Sequence, residues 1–233
     1  MTTRIFLLSP AHCGGERAQI VLRDRAEFDL ARRLRTREGA PLGEVFSFMS
    51  GLYFRGKLAY ARCFAQTTTA LGGVRVITPC QGLQSPDLRV GRALIRRYAR
   101  VDIDPADARY RRPLLRDARA LVDRLADVSA WEVVLLGSVA SGKYVEPLIE
   151  VFGERLVFPP DFIGRGDMSR GGLLLRCVSE GRELSYAPLL NASRRGRRPA
   201  RLVPQRGILA RTEHWLRSGG EQLTSQAGPL RGA

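Results

Sequence analysis

The stretch 131-WEVVLLGSVASGKYVEPLIE-150 decides how this chain is read. Its apolar run, Trp131 to Leu136, has the length and β-branched content of a buried strand, and Gly137 ends it. The segment YVEPLIEVFG (144–153) then predicts a short helix, in which Pro147 fits only within the first turn. A strand, a tight loop and a helix in this order form the building unit of a parallel sheet. The loop from Gly137 to Lys143 matches G-x-x-x-x-G-K, the phosphate-cradling pattern, but Tyr144 stands where Ser or Thr would hold magnesium. A downstream acid, Asp161, follows RLVFPP, with two prolines in between. The loop is open to three readings. It is a plain strand-to-helix turn with Ser141 as N-cap, a turn lining some other ligand pocket, or a nucleoside-triphosphate site.

Outward from this unit, strands and helices alternate. RIFLLSP (4–10) predicts a buried strand, and residues 16–35 predict one helix with Ile20, Phe28, Ala31 and Leu34 on a common face. Residues 44–66 read as a helix interrupted near Ser50-Gly51, and GVRVITP (73–79) as a second strand. LRVGRALIRRYAR (88–100) fits either type, whereas 111–128 has clear helical spacing. RLVFPPDF (155–162) reads as strand or extended chain, 167–181 as helix and 183–189 as a last strand. The expected fold class is α/β: a mainly parallel or mixed sheet with helices on both faces. One domain is expected over 1–190, followed by a basic, Arg-rich C-terminal extension over 191–233, with a short helix near 208–217.

Composition bounds the function. The 233 residues are 44% hydrophobic, enough for a core, and the formal net charge is +15. Such a charge attracts polyanions, nucleic acid above all. All but two of the basic residues are arginine, the exceptions being Lys57 and Lys143. A GC-rich genome accounts for arginine over lysine but not for the excess of bases over acids. The extension supplies Arg194, Arg195, Arg197, Arg198 and Arg201 as nucleic-acid contacts. Four separated cysteines and two histidines argue against a disulfide framework or a metal site, and no cofactor is expected. The apolar run Ile5 to Leu8 is too short for a signal peptide or membrane span, so a cytoplasmic location and no membrane partner are expected.

In an open α/β sheet, ligands bind beyond the carboxyl ends of the strands. Four turns fall there: 9–15, 78–87, 137–144 and 164–170. The first offers Ser9, Pro10, His12 and Cys13; a Cys–His pair is weighed against an ordinary turn with a buried thiol. The second offers Gly82 and Asp87, against a turn held by Ser-Pro-Asp. The third offers Gly137, Ser138, Lys143 and Tyr144. The fourth, FIGRGDMSRGG (162–172), offers Arg165, Asp167, Ser169 and Arg170 as an anion site at a helix start, against a structural loop. Asp87 and Asp167 are the candidate acids or bases. Tyr53 and Tyr144 are candidates to stack on an extruded base.

The segments IFLLSPAHC, SGLYFRGKLAYARCFA with VRVITPCQGLQSPD, WEVVLLGSVASGKYVEPL and GRGDMSRGGLLLR occur in that order over about residues 4–176. In motif and order they resemble the YaaA-like group of bacterial proteins. The resemblance falls on Ser9 and Pro10, Gly82 and Leu83, Tyr144, and Met168, Ser169 and Arg170. It implies an α/β fold, DNA binding and a role in peroxide-stress protection. Related domains occur with uracil-glycosylase-like folds and with 7-deazaguanine nucleic-acid modification. The chain departs from the group in His12-Cys13-Gly14-Gly15 and in having no clear helix-hairpin-helix motif. The expectation is a nucleic-acid-binding protein, with a base-modifying or base-excising enzyme and a nucleoside-triphosphate binder as alternatives.

Overall fold

The computed structural model describes residues 2–65, 72–200 and 202. Its strands are β1 (Thr3–Leu8), β2 (Ala40–Pro41), β3 (Val74–Thr78), β4 (Gly82–Gln84), β5 (Arg89–Val90), β6 (Trp131–Leu136), β7 (Leu156–Phe158) and β8 (Ala187–Pro188). Its helices are α1 (Glu16–Leu22), α2 (Asp29–Arg33), α3 (Leu42–Ser50), α4 (Leu52–Phe64), α5 (Arg92–Tyr98), α6 (Ala108–Arg124), α7 (Gly142–Phe152) and α8 (Asp167–Glu180). Six strands form one mixed sheet in the order β4-β3-β1-β6-β7-β8. The inner four run parallel, and the two edge strands pair antiparallel.

Strand alternation sorts the core into two layers. Phe6, Leu8, Val76, Val134, Leu136 and Val157 face one cluster, built with α1 to α5 and α8. Ile5, Leu7, Ile77, Val133, Leu135, Leu156 and Phe158 face the other, built with α6 and α7. The inner strands are apolar on both faces because helices cover both. The chain moves from β1 to β3 on one side and from β6 to β7 on the other. The carboxyl ends of β1 and β6 are therefore the topological switch point, where the flanking connections part and leave a crevice.

Several elements depart from the sequence expectation, each for a local reason. The helix expected over 16–35 breaks between Leu22 and Asp29. There Arg35 donates to the carbonyls of Asp24 and Ala26 at 3.0 and 2.8 Å. The strand expected over 155–162 stops at Phe158, where two prolines remove donors and a 3-10 turn, Pro160–Phe162, takes over. Of 183–189 only Ala187–Pro188 is strand. Upstream, the Leu184 N–H donates to the Tyr60 hydroxyl at 2.7 Å instead of to a neighbouring strand. The ambiguous 88–100 divides into β5 and α5, and β5 pairs with β2 in a two-stranded ribbon.

Pro147 is the instructive case. Helix α7 begins at Gly142, so Pro147 lies in its second turn, beyond the first-turn position expected for it. A proline there leaves the carbonyl four residues back, that of Lys143, without its helical donor. The Tyr110 hydroxyl of α6 donates to that carbonyl at 3.0 Å. The helix is mended from outside, and its first turn is tied to α6.

Candidate functional site

A cleft of about 370 Å³ opens at the switch point. Its lining comes from the end of β1 (Ser9, Pro10, Ala11, His12), from α3 and α4 (Met49, Ser50, Tyr53, Lys57), from the loop after β6 and the start of α7 (Ser138, Lys143, Tyr144), and from Ile103 and Asp167. Three of the four expected turns thus meet at one place.

Two close approaches hold the walls. Gly137 lets the end of β6 approach β1, since a Cβ there would stand 3.0 Å from the Ser9 Cβ. Gly56 of α4 and Gly171 of α8 let those helices touch backbone to backbone. A Cβ on Gly56 would lie 2.7 Å from the Gly171 carbonyl oxygen, and a Cβ on Gly171 would lie 2.7 Å from that of Leu52. This contact sets Tyr53 and Lys57 on α4 beside Asp167 and Arg170 at the start of α8.

Lys57 is the central group, and it was not among the site residues expected from sequence. Its side chain is 1% exposed. The amine Nζ donates to the Ser9 carbonyl at 2.6 Å and meets the Ser9 hydroxyl at 2.7 Å. It lies over the rings of Tyr53 and Phe54, 4.5 and 4.9 Å from their centroids. Burial lowers its pKa to about 7; the Asp167 charge acts against this and the Arg170 charge with it. One compositional signal could have singled it out: it is one of only two lysines, and both line this cleft.

The Tyr53 hydroxyl is buried, and among the described residues it has no partner of full hydrogen-bonding geometry. The Arg170 guanidinium lies beside it, and both its charge and its hydrogen-bonding contact act to lower the phenol's pKa. Burial raises the pKa of Tyr53, and that of Tyr144 with Asp167 adding to it, so both phenols stay protonated donors. Asp167 stands at the rim, its side chain 69% exposed and 3.5 Å from Arg170. Lys143 turns its amine toward the Tyr144 ring at 5.2 Å.

Other expected residues lie outside the cleft or serve a different role. Cys13 is buried, bonded through Sγ to the Ala11 carbonyl at 3.6 Å, and burial pushes its thiol up to about 12, as in the ordinary turn with a buried thiol; it does not line the cleft. Gly82 turns with φ +70° against α6, where a side chain would collide with Asp117 and the Pro113 carbonyl. Its role is to let β4 fold back. Asp87 is exposed, paired with Arg62 at 2.5 Å, and outside the cleft lining, because β4 leads the chain away from the switch point. Arg170 is buried and donates twice to the Phe162 carbonyl, at 3.2 and 3.1 Å, so its guanidinium braces the turn before α8 instead of facing solvent phosphate. Tyr53 offers no free ring face for stacking toward Lys57, whose amine covers it.

Arg165 and Ser169 bond to one another at 3.2 Å and line a different groove, of about 310 Å³. It also contains Met168, Arg176, Arg198 and Leu202, which makes it a basic groove on the outer side of α8. Arg195, Arg197 and Arg198 are exposed and Arg194 half-buried. Arg201 and the helix expected near 208–217 lie outside the described residues.

At the start of α7 the Glu146 side chain folds back against Gly142, where a Cβ would collide with its carboxylate. Among the described residues no cluster of His, Cys, Asp and Glu could hold a metal ion, and no helix is long and apolar enough to cross a membrane. Comparison of the chain with protein-family models, curated proteins and solved structures finds no match.

Proposed function

We propose that this protein binds nucleic acid and acts on a single nucleotide seated in the switch-point cleft, as a base-modifying or base-excising enzyme. The observation that carries the reading is the make-up of the cleft. A concave site of nucleotide size gathers two protonated phenols, a rim carboxylate and a buried amine whose pKa lies near neutrality. Groups whose surroundings drive their proton affinities apart mark sites of acid–base chemistry more often than passive surfaces. The +15 charge and the basic groove beside α8 give a sequence-independent hold on the phosphate backbone.

In this reading the Tyr144 hydroxyl donates to the edge of an extruded base. Asp167 activates water or stabilises positive charge on the sugar. The test is turnover of oligonucleotides carrying damaged or modified bases. Asp167→Asn is expected to keep affinity and lose activity by about 10²–10⁴-fold, the scale of a positioned acid or base. Inactivity of the wild-type chain across such a panel, with binding intact, would reduce the function to nucleic-acid binding alone.

A further inference from the structure

Of the chain's 38 basic residues all but two are arginine, yet both lysines line the one cleft. A site that needs only positive charge has no reason to keep lysine in so arginine-rich a chain. The two differ in proton chemistry. A guanidinium holds its proton at any pH a cell reaches, whereas a buried amine gives its proton up and presents a lone pair.

Lys57 is built for the second behaviour. Its amine is enclosed by Tyr53 and Phe54 of its own helix and by Ser9 just after β1, and among the described residues no carboxylate forms an ion pair with it. The charged groups that reach it come from α8, Asp167 and Arg170, of opposite sign. As an ammonium it donates to both Ser9 oxygens. As a neutral amine it still donates to the carbonyl and accepts from the hydroxyl, at the same 2.6 and 2.7 Å. Loss of the proton thus needs no rearrangement.

We propose that Lys57 is a nucleophilic amine that captures the aldehyde carbon of a ring-opened sugar, with Ser9 as its proton partner. This rests on the base-excising form of the function given above, which leaves such a sugar in the cleft. The Nζ lone pair forms a bond to the carbonyl carbon, and the π electrons of the C=O bond move to its oxygen. That oxygen takes a proton through the Ser9 hydroxyl, and the nitrogen returns one to Ser9, which gives the carbinolamine. The nitrogen lone pair then expels the hydroxyl, which leaves as water with the second nitrogen proton, carried through Ser9, and an imine remains. Arginine at position 57 cannot take this step, because its nitrogen lone pairs are delocalised and its proton is not released.

The test is reductive trapping. The full chain is incubated with an oligonucleotide carrying one abasic site in the presence of cyanoborohydride, and the adduct is mapped by mass spectrometry. The two lysines and the amino terminus are the chain's only primary amines, so the assignment is unambiguous. The expected result is an adduct on Lys57, with a yield that rises about tenfold from pH 6 to pH 8 as the amine loses its proton. Lys57→Met and Lys57→Arg, checked for folding by melting temperature, should both abolish it. An adduct on Lys143 or the amino terminus, or none while fluorescence anisotropy shows the oligonucleotide bound, would overturn the proposal.

If the oligonucleotide does not bind at all, the nucleic-acid reading itself fails. The amine is then tested alone with pyridoxal phosphate and borohydride. Modification of Lys57 at neutral pH would sustain it as a carbonyl-capturing group, and protection of Lys57 under conditions that modify Lys143 would end it.

Discussion

At Lys57 burial and charge oppose each other, and stability registers the conflict. The amine has a pKa of about 7 in the folded chain against an ordinary 10.5. Between these values the unfolded chain holds a proton that the folded chain has released, so stability rises with pH across that window. Below pH 7 both states are protonated and the cost of the buried charge is constant. The melting temperature of the wild-type chain should therefore climb from pH 7 to pH 9, and that of Lys57→Met should stay flat over the same range. Equal slopes in the two melts would show that the amine is not the group responsible. Cys13 works in the opposite sense only above pH 9, its thiol being held protonated by burial up to about 12. Sequence alone hid Lys57 because a lysine between Gly56 and Leu58 reads as one polar letter in an amphipathic span. Only the packing of α4 against α8 reveals that this letter points inward. At Cys13 the two sequence readings, a Cys–His pair and an ordinary turn with a buried thiol, separate in the structure: the thiol turns to the core.

Among the elements, α7 carries the clearest consequence. Tyr110 supplies the donor that Pro147 removes from the Lys143 carbonyl. Tyr110→Phe keeps the ring and deletes the donor, leaving that carbonyl short of a partner at a cost of about 1–3 kcal/mol. Urea denaturation should show the loss as a lower midpoint with an unchanged slope. The same variant should perturb Lys143 and Tyr144, because the first turn of α7 loses its tie to α6. The long apolar strands β1 and β6 and the helices α6 and α8 were legible from periodicity, since their pattern and their burial agree. The segment 183–189 was not. Its alternation is strand-like, yet the donor of Leu184 is claimed by Tyr60, 124 positions earlier, a contact no local window contains. The helix expected over 16–35 failed likewise, its helical spacing being interrupted where Arg35 reaches back to two carbonyls.

For the whole molecule, the α/β architecture with helices on both faces was legible because alternating strand and helix patterns leave few other arrangements. That turns after parallel strands share an edge was also legible, and three of the four do line one cleft. The fourth, 78–87, was misjudged because β4 runs antiparallel and carries Asp87 away. Nucleic-acid affinity is a property of the whole charge distribution, and so is its salt dependence. Replacing Arg194, Arg195, Arg197 and Arg198 together by alanine should flatten the plot of log affinity against log salt. The slope should fall by about 0.9 for every phosphate that the variant no longer neutralises. An unchanged slope would show that these arginines touch no phosphate. The backbone contact between α4 and α8 bears on motion as well as on shape. No side chain separates Gly56 from Gly171, so the two helices have no soft layer on which to slide. Amide hydrogens around 54–61 and 171–178 should then exchange with solvent only through global unfolding, while those of the short α1 and α2 exchange through local opening. The cleft would meet its ligand already in its final form, and selectivity would come from a rigid outline that larger ligands cannot widen.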